Sequence, residues 1–255
     1  MSRLALRFTA LGYLGLLVAA PVAMVFYRTF EKGIAAAWDA VTTPPAQHAF
    51  YLTVMIALIA VPLNAVFGVL TALLLARGRV RGRRLLDAVV DLPFAVSPVI
   101  VGLALILVWG RTGWFHATGV IFALPGMVLA TIFVSLPFVV REVLPVLREE
   151  GSEQEQAAAT LGAGAWAVFR RITLPTIRWG LAYGVVLSTA RSLGEFGAVS
   201  AVSGKISGRT ETLTLFVEDR FQAYDLTGAY AASVVLALLA LATLGVMTLL
   251  QRRNA

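Results

Sequence analysis

The sequence contains no cysteine and only two histidines, His48 and His116. The absence of cysteine excludes disulfides, thiolate metal sites and cysteine nucleophiles. The two histidines lie in separate predicted loops, which argues against a histidine metal site. The hydrophobic segments contain no HExxH motif and no matched serine–histidine pair, which argues against an intramembrane enzyme. We therefore predict no catalytic residue, no metal site and no cofactor bound by this chain itself.

Charged residues are also scarce. They make up 14% of the chain, against about 25% in soluble domains. In contrast, 59% of the residues are hydrophobic and the mean hydropathy is +0.83. This apolar excess requires a non-aqueous solvent and leaves no room for a separate soluble domain. The composition predicts an all-α polytopic membrane helix bundle that forms one transmembrane domain over residues 1–255.

Six hydrophobic segments are long enough to cross a bilayer, which takes about 20 apolar residues per helix. The predicted spans lie at about 8–28, 49–76, 85–110, 121–141, 179–203 and 228–250. The first segment lacks a small-residue cleavage site followed by a polar mature domain. This favours a retained span over a signal peptide.

The distribution of arginine predicts the orientation of these spans. Arginines cluster in the first tail, between the second and third spans, after the fourth span and at the C-terminus: Arg3, Arg7, Arg77, Arg79, Arg81, Arg83, Arg84, Arg148, Arg170, Arg171, Arg178, Arg252 and Arg253. The opposite loops hold fewer basic residues, so the positive-inside rule places both termini in the cytoplasm. The pI is near 10.4, but this clustering indicates a bilayer and not a nucleic acid as the partner.

The only long cytoplasmic loop reads GSEQEQAAATLGAGAWAVFRRITLP and covers residues 151–175. Ser152 is placed to cap a short helix, which Gly162 then ends. Ala165–Arg171 is predicted to form a second short helix that stops at Pro175. A solvated connector is the ordinary interpretation of such a loop. Two short helices around a glycine turn would instead form a compact projection that a partner surface can approach closely.

The spacing within this loop resembles the EAA loop of ATP-binding-cassette (ABC) importer permeases. In that family the loop is a coupling helix, which docks into a groove of the cytoplasmic ATPase subunit. The family's leading glutamate falls at Gln156, and Glu155 lies one residue earlier. The resemblance implies these coupling residues: Glu155, Gln156, Ala157, Ala158, Gly162, Ile172, Leu174 and Pro175.

Longer stretches extend the resemblance over most of the chain. They are LTVMIALIAVPLNAVFG (52–68), DLPFAVSPVIVGL (91–103), PGMVLATIFVSLPFVVREVLPVL (125–147) and RSLGEFGAVSAVSGKISGRTETL (191–213). They are similar to the CysW-type permease subunits of sulfate and thiosulfate importers. This implies a type I ABC importer permease (MetI-like) fold with six transmembrane helices, its core at about 48–250. Molybdate and tungstate permeases share the EAA loop and a similar GEFG segment, so they remain the alternative.

The resemblance also implies partners. A periplasmic sulfate- or thiosulfate-binding protein captures the anion, a related T-type permease completes the path, and a pair of ATPase subunits holds ATP and Mg. The location implied is the bacterial inner membrane. SGKISG at 203–208 is not a phosphate-binding loop, because Ile206 stands where Ser or Thr is required after Lys205. An autonomous channel or secondary carrier is the competing class, and it would need ion-coupling groups at the midplane.

Four residues are candidates for the translocation path. Arg191 and Glu195 are four apart near the middle of the fifth predicted span, hence on one helix face. They would either offer positive potential to a dianion or brace two helices. Ser97, beside Pro98 in an interrupted third span, and Ser135 in the fourth span would either donate hydrogen bonds to a sulfate oxygen or satisfy carbonyls freed by prolines.

Small and basic residues elsewhere suggest further contacts. The glycines of the fifth span suit either close helix contact or rocking of that span during alternating access: Gly180, Gly184, Gly194 and Gly197. The outer loops hold Lys205, Arg209 and Arg220, which we expect to meet the periplasmic binding protein.

Overall fold

A computed structural model describes residues 3–78, 81–115 and 119–252 of the chain. Within these ranges every regular element is a helix and there is no β-strand, which confirms the all-α prediction. Arg79, His116 and Arg253, which entered the predictions above, lie outside the described residues.

The α-helices are named here in chain order. They are α1 (Arg3–Leu14), α2 (Ala20–Phe30), α3 (Ile34–Val41), α4 (Pro44–Arg77), α5 (Arg83–Ala95), α6 (Pro98–Trp109), α7 (Leu124–Glu149), α8 (Glu153–Thr160), α9 (Ala165–Val168), α10 (Leu174–Leu193), α11 (Gly197–Val202), α12 (Leu213–Gln222) and α13 (Leu226–Arg252). Two π-helical turns, Gly15–Ala19 and Phe169–Thr173, join α1 to α2 and α9 to α10.

Among the described residues, four helical stretches are long and apolar enough to cross a membrane: Arg7–Phe30, Pro44–Arg77, Leu124–Glu149 and Leu226–Leu249. They match the first, second, fourth and sixth predicted spans. Counting the bent pair α5–α6 as one span gives a fifth, which matches the third prediction. The helix α10, which holds most of the fifth predicted span, is not among them. The total of six therefore stays a prediction.

The predicted interruption of the third span is confirmed. The helix α5 ends at Ala95, and α6 begins at Pro98 with its axis turned by 115°. Proline lacks an amide proton and disfavours helical backbone in the residue before it, so the break falls at Ser97. The Ser97 carbonyl then accepts the amides of Ile100 at 2.9 Å and Val101 at 3.2 Å, which starts α6.

The fifth segment, predicted as one helix over 179–203, is two helices, so this prediction was wrong. The helix α10 ends at Leu193, and α11 begins at Gly197. The cause is a side chain: the Glu195 carboxylate accepts the amide of Ala198 at 2.8 Å. An acceptor in this position satisfies an orphan amide of a new helix start.

The helices α4, α7 and α10 form the packed centre of the described chain, and glycines let α4 and α10 approach α7. A Cβ atom on Gly68 would lie 2.7 Å from Val139 Cγ1, and one on Gly184 would lie 2.8 Å from Val139 Cα. A Cβ atom on Gly180 would lie 2.8 Å from the Glu142 carbonyl oxygen. Small residues at helix interfaces allow the close packing that holds helices together in lipid. This confirms the close-contact interpretation for Gly180 and Gly184.

The first span lies at the periphery. None of its most apolar window is buried by the rest of the chain, whereas 61% of the corresponding window of α7 is buried. Its second half, α2, contacts α3 and α13. The central trio, and not this span, positions the candidate sites.

Candidate functional site

The loop 151–175, called the coupling loop below, contains the two short helices predicted for it. Leu161 ends α8, and the turn after it uses Gly162 at φ +87°, a backbone conformation that favours glycine. The second helix differs from the prediction. It is α9 followed by the π-helical turn, and the chain then runs into α10 without a stop. Pro175 lies in the first turn of α10, where the missing amide proton of proline costs nothing.

The start of α8 also differs in one detail from the prediction. Ser152 occupies the N-cap position, but its side chain makes no capping hydrogen bond to the backbone. Its hydroxyl instead accepts a hydrogen bond from the Gln156 side-chain amide at 2.8 Å. Gln156, where the family carries its leading glutamate, is exposed.

The Glu155 carboxylate contacts the body of the chain with both oxygens. Arg77, the last residue of α4, donates from Nε to Glu155 Oε2 at 3.0 Å. Thr173, in the turn before α10, donates from Oγ1 to Glu155 Oε1 at 2.8 Å. The Glu155 side chain is 20% exposed. Arg77 entered the sequence analysis only as a positive charge, because spacing along the chain does not reveal a partner 78 residues away.

The outer surface of the coupling loop carries two large apolar side chains that the sequence analysis missed. Leu161 is 89% exposed and Trp166 is 71% exposed. The Trp166 ring stacks on Phe169 with their centroids 5.6 Å apart. The signal was present in the sequence, because these are large apolar residues beside the glycine turn of an otherwise small and polar loop.

The remaining coupling candidates divide between the surface and the body. Ala157, Gly162 and Pro175 are exposed, whereas Ala158, Ile172 and Leu174 are half-buried. Leu174 packs beside the central hydrophobic cluster of α4, α7 and α10. The coupling loop therefore has an outer surface that is open to a partner and an inner surface seated on the transmembrane helices.

Arg191 and Glu195 form an ion pair, although they do not share a helix. Arg191 lies in the last turn of α10 and Glu195 lies beyond its end, so their prediction on one helix face was wrong. The Arg191 Nη2 atom is 2.6 Å from Glu195 Oε2, with side chains 30% and 2% exposed respectively. Thr214 Oγ1 donates to the Glu195 carbonyl oxygen at 2.9 Å. The buried carboxylate thus holds a partly exposed guanidinium at the α10–α11 break.

The two helix breaks meet in the structure. A Cβ atom on Gly197, at the start of α11, would lie 2.9 Å from the Cβ of Pro98, at the start of α6. The exposed Ser97 and the Arg191–Glu195 pair therefore belong to adjoining interruptions. Interrupted helices line cavities in many transporters, and sequence reasoning had no means to place these two together.

Ser135 lies apart from that surface, in a buried polar cluster that joins α4, α7 and α10. Its hydroxyl donates to the Thr131 carbonyl at 2.5 Å and accepts from Asn64 Nδ2 at 2.8 Å. Ser192 Oγ donates to Ser135 Oγ at 3.2 Å. Ser135 is fully buried. The geometry favours satisfaction of a carbonyl over contact with a passing anion, and the path role of Ser135 stays a prediction.

A second charged cluster, which the sequence analysis missed, joins α5 to α7. Arg141 donates from Nε to Asp91 Oδ1 at 2.8 Å, and its Nη2 lies 2.9 Å from Asp87 Oδ1. Asp91 had been noted only as a mark of the interrupted span. The signal was an arginine within an apolar segment and two aspartates four residues apart, which face the same side of a helix.

Comparisons with known proteins support this architecture. The family described as "Binding-protein-dependent transport system inner membrane component" matches residues 64–255. A "Sulfate transport system permease protein CysW" of Synechocystis sp. is 51% identical over 251 residues, 96% of this chain and 91% of the relative. A "Sulfate transport system permease protein CysT" of Escherichia coli is 39% identical over 251 residues, with the same coverage of 96% and 91%.

One solved structure is a bacterial alginate ABC transporter in complex with an alginate pentasaccharide-bound periplasmic protein. One of its chains matches with a TM-score of 0.79 and 18% identity, over 98% of this chain and 93% of that chain. This likeness concerns the fold alone, and it confirms the predicted importer-permease fold.

Proposed function

The chain belongs to the family of binding-protein-dependent transport system inner membrane components, and from this premise we propose that it is a permease subunit of an ABC importer for sulfate and thiosulfate. The observation that carries the substrate is the 51% identity, over 96% of this chain, to a protein named as a sulfate transport permease. The segment VSGKISGRTETL (202–213) supports the same substrate, because it resembles the sulfate branch more than the molybdate branch.

The proposed complex divides the work among its subunits. This chain and a related T-type permease form the two halves of the path, in line with the 39% identity to a protein named CysT. A periplasmic binding protein delivers the anion to the outer loops with Lys205, Arg209 and Arg220. Two ATPase subunits bind ATP and Mg on the cytoplasmic side, where the arginine distribution places the coupling loop and both termini. This chain hydrolyses no ATP itself.

We assign the outer surface of the coupling loop to contact with an ATPase subunit. Exposed large apolar side chains next to each other favour a protein partner over water, and Leu161 and Trp166 meet this description. Gln156, Ala157 and Gly162 contribute the small and polar part of the same surface. Glu155 does not belong to it, because both of its oxygens contact the chain's own residues.

In the path itself, Arg191 is our candidate for contact with the anion. A guanidinium matches the geometry of an oxyanion with two parallel donors. Its partner Glu195 holds it in place and partly neutralises it, so that the anion is not bound too tightly to leave. Ser97, exposed at the adjoining break, is the candidate neutral donor.

Uptake in a strain that lacks this chain tests the substrate. We expect labelled sulfate uptake to be lost, to return with the wild-type gene and to be competed by thiosulfate. Unimpaired sulfate uptake with impaired molybdate uptake would overturn the substrate assignment. Sulfate flux through the purified chain without an ATPase subunit would instead indicate a carrier or channel.

Two variants of the coupling loop test the ATPase contact. Gly162→Asp places a side chain at φ +87°, whereas Gly164→Asp adds the same charge at an ordinary φ of −68° with open space around the Cβ position. We expect Gly162→Asp to insert into the membrane but to lose both ATPase co-purification and uptake. Gly164→Asp should retain more of each. Equal loss in the two variants would show that charge, and not the turn, is responsible.

A further inference from the structure

We propose that Glu155, Arg77 and Thr173 form an anchor that fixes α8 to the transmembrane helices, so that movement of α8 moves those helices. These are positioning residues and not docking contacts. The inference rests on the proposed function, since an ATPase subunit must supply the movement. It adds the mechanical link between the docking surface and the path, which the docking surface alone does not supply.

The anchor connects four helices through one arginine and one carboxylate. Arg77 at the end of α4 donates to Glu155 in α8, to the Leu147 carbonyl in the last turn of α7 at 2.8 Å, and to the Gly151 carbonyl between them. Thr173 adds the segment that enters α10. Its residue is buried, with 4% exposure. The hydrogen bonds from Arg77 and Thr173 therefore tie α8 to the ends of all three central helices.

The helix α8 has no apolar attachment to replace this anchor. It contains eight residues, and none of them is buried. Isolated helices shorter than about 12 residues are marginal in water, so α8 needs an attachment to hold its place. Hydrogen bonds between charged partners are about twice as strong as neutral ones. The Glu155 carboxylate supplies them from the inner side of an otherwise surface helix.

The opposite sides of the coupling loop thus have separate tasks. Glu155 points inward and has both oxygens engaged, whereas Gln156, Leu161 and Trp166 are exposed. A force applied at the exposed side reaches α4, α7 and α10 through the carboxylate. Without it, α8 can move while the transmembrane helices stay in place.

The experiment measures coupling in the reconstituted complex of the full chain with its permease and ATPase partners. In Glu155→Gln we expect the ATPase subunits to remain bound and ATP hydrolysis to continue. Sulfate transported per ATP hydrolysed should fall about tenfold, the lower end of what the loss of a charge-assisted hydrogen bond gives in an equilibrium. Thr173→Val, which removes the hydroxyl at nearly constant shape, should lower the same ratio, and Thr173→Ser should restore it.

A matched control separates the anchor from a general effect of charge. Glu153→Gln removes one carboxylate from the same helix at an exposed position, and we expect no change in the coupling ratio. A second measurement needs no partner. Because the chain has no cysteine, Leu161→Cys provides a single site for a spin label, whose mobility should increase in Glu155→Gln but not in Glu153→Gln.

Three results would overturn the anchor. Loss of the ATPase subunits from a folded, inserted Glu155→Gln complex would make Glu155 a docking contact. An unchanged coupling ratio in both Glu155→Gln and Thr173→Val would show that no movement passes through it. Unchanged spin-label mobility would show that it does not hold α8. If the wild-type complex transports no sulfate, the proposed function fails, but the label still tests the anchor.

Discussion

Replacing Gly184 by alanine tests whether contact between α7 and α10 holds the centre of the protein together. The added Cβ would lie 2.8 Å from Val139 Cα and 3.4 Å from Glu142 Cβ. The first contact is with backbone, so it cannot be relieved by rotating a side chain. The two helices must separate by several tenths of an ångström, and overpacking of this kind costs about 1–3 kcal/mol.

The control is Gly245→Ala in the middle of α13, where a Cβ would meet no atom within 4 Å. Both variants gain the same intrinsic helix preference of alanine over glycine, about 1 kcal/mol in water. Their difference in stability therefore isolates the contact with α7. Unfolding of the purified chain in detergent, followed by circular dichroism, measures that difference.

We expect Gly184→Ala to be less stable than Gly245→Ala by about 1–3 kcal/mol. Equal stabilities would refute the reasoning, because they would show that α10 and α7 have room between them. A more stable Gly184→Ala would refute it more strongly, since filling space would then improve the packing.

Three further predictions concern polar groups. Ser135→Ala should destabilise the chain by about 1 kcal/mol, as for other hydrogen bonds between membrane helices, and it should have no added effect in an Asn64→Ala background. Arg141→Ala should cost about 1–2 kcal/mol, discounted because the pair is partly exposed, and Asp91→Asn should cost less because Arg141 keeps a second carboxylate; equal costs would contradict this. Burial raises the pKa of Glu211 above its ordinary value, so its ionisation opposes folding, and stability should fall as the pH rises from the ordinary carboxyl pKa through the raised one. Glu211→Gln should remove that pH dependence, measured by unfolding across the acidic to neutral range.

Features that depend on local sequence could be predicted. The helices α4 and α7 follow from long apolar runs, and the break before α6 follows from Pro98, whose ring acts on its immediate neighbour. The glycine turn of the coupling loop follows from Gly162 for the same reason. The spacing of residues within the coupling loop is also sufficient, by itself, to indicate the permease family.

Features that depend on contact between distant residues could not be predicted. The end of α10 was missed because the Glu195 side chain, and not a proline, starts the next helix. The inward direction of Glu155 was missed because it depends on Arg77, in another helix. The outward direction of Trp166 was missed because hydropathy gives the amount of apolar surface and not the side on which it lies.

The glycine contacts around α7 have a consequence for how the protein changes shape. Attraction between helices in lipid comes largely from dispersion forces, and a gap of 0.5–1 Å already loses about a quarter to a half of that attraction. A helix held on two sides at Gly68 and Gly184 therefore resists any opening that widens those grooves. We expect α4, α7 and the first part of α10 to travel as one rigid body. The opening and closing of the path then falls to the two adjoining breaks, at Ser97 and at Glu195, where the backbone is already free of helical hydrogen bonding.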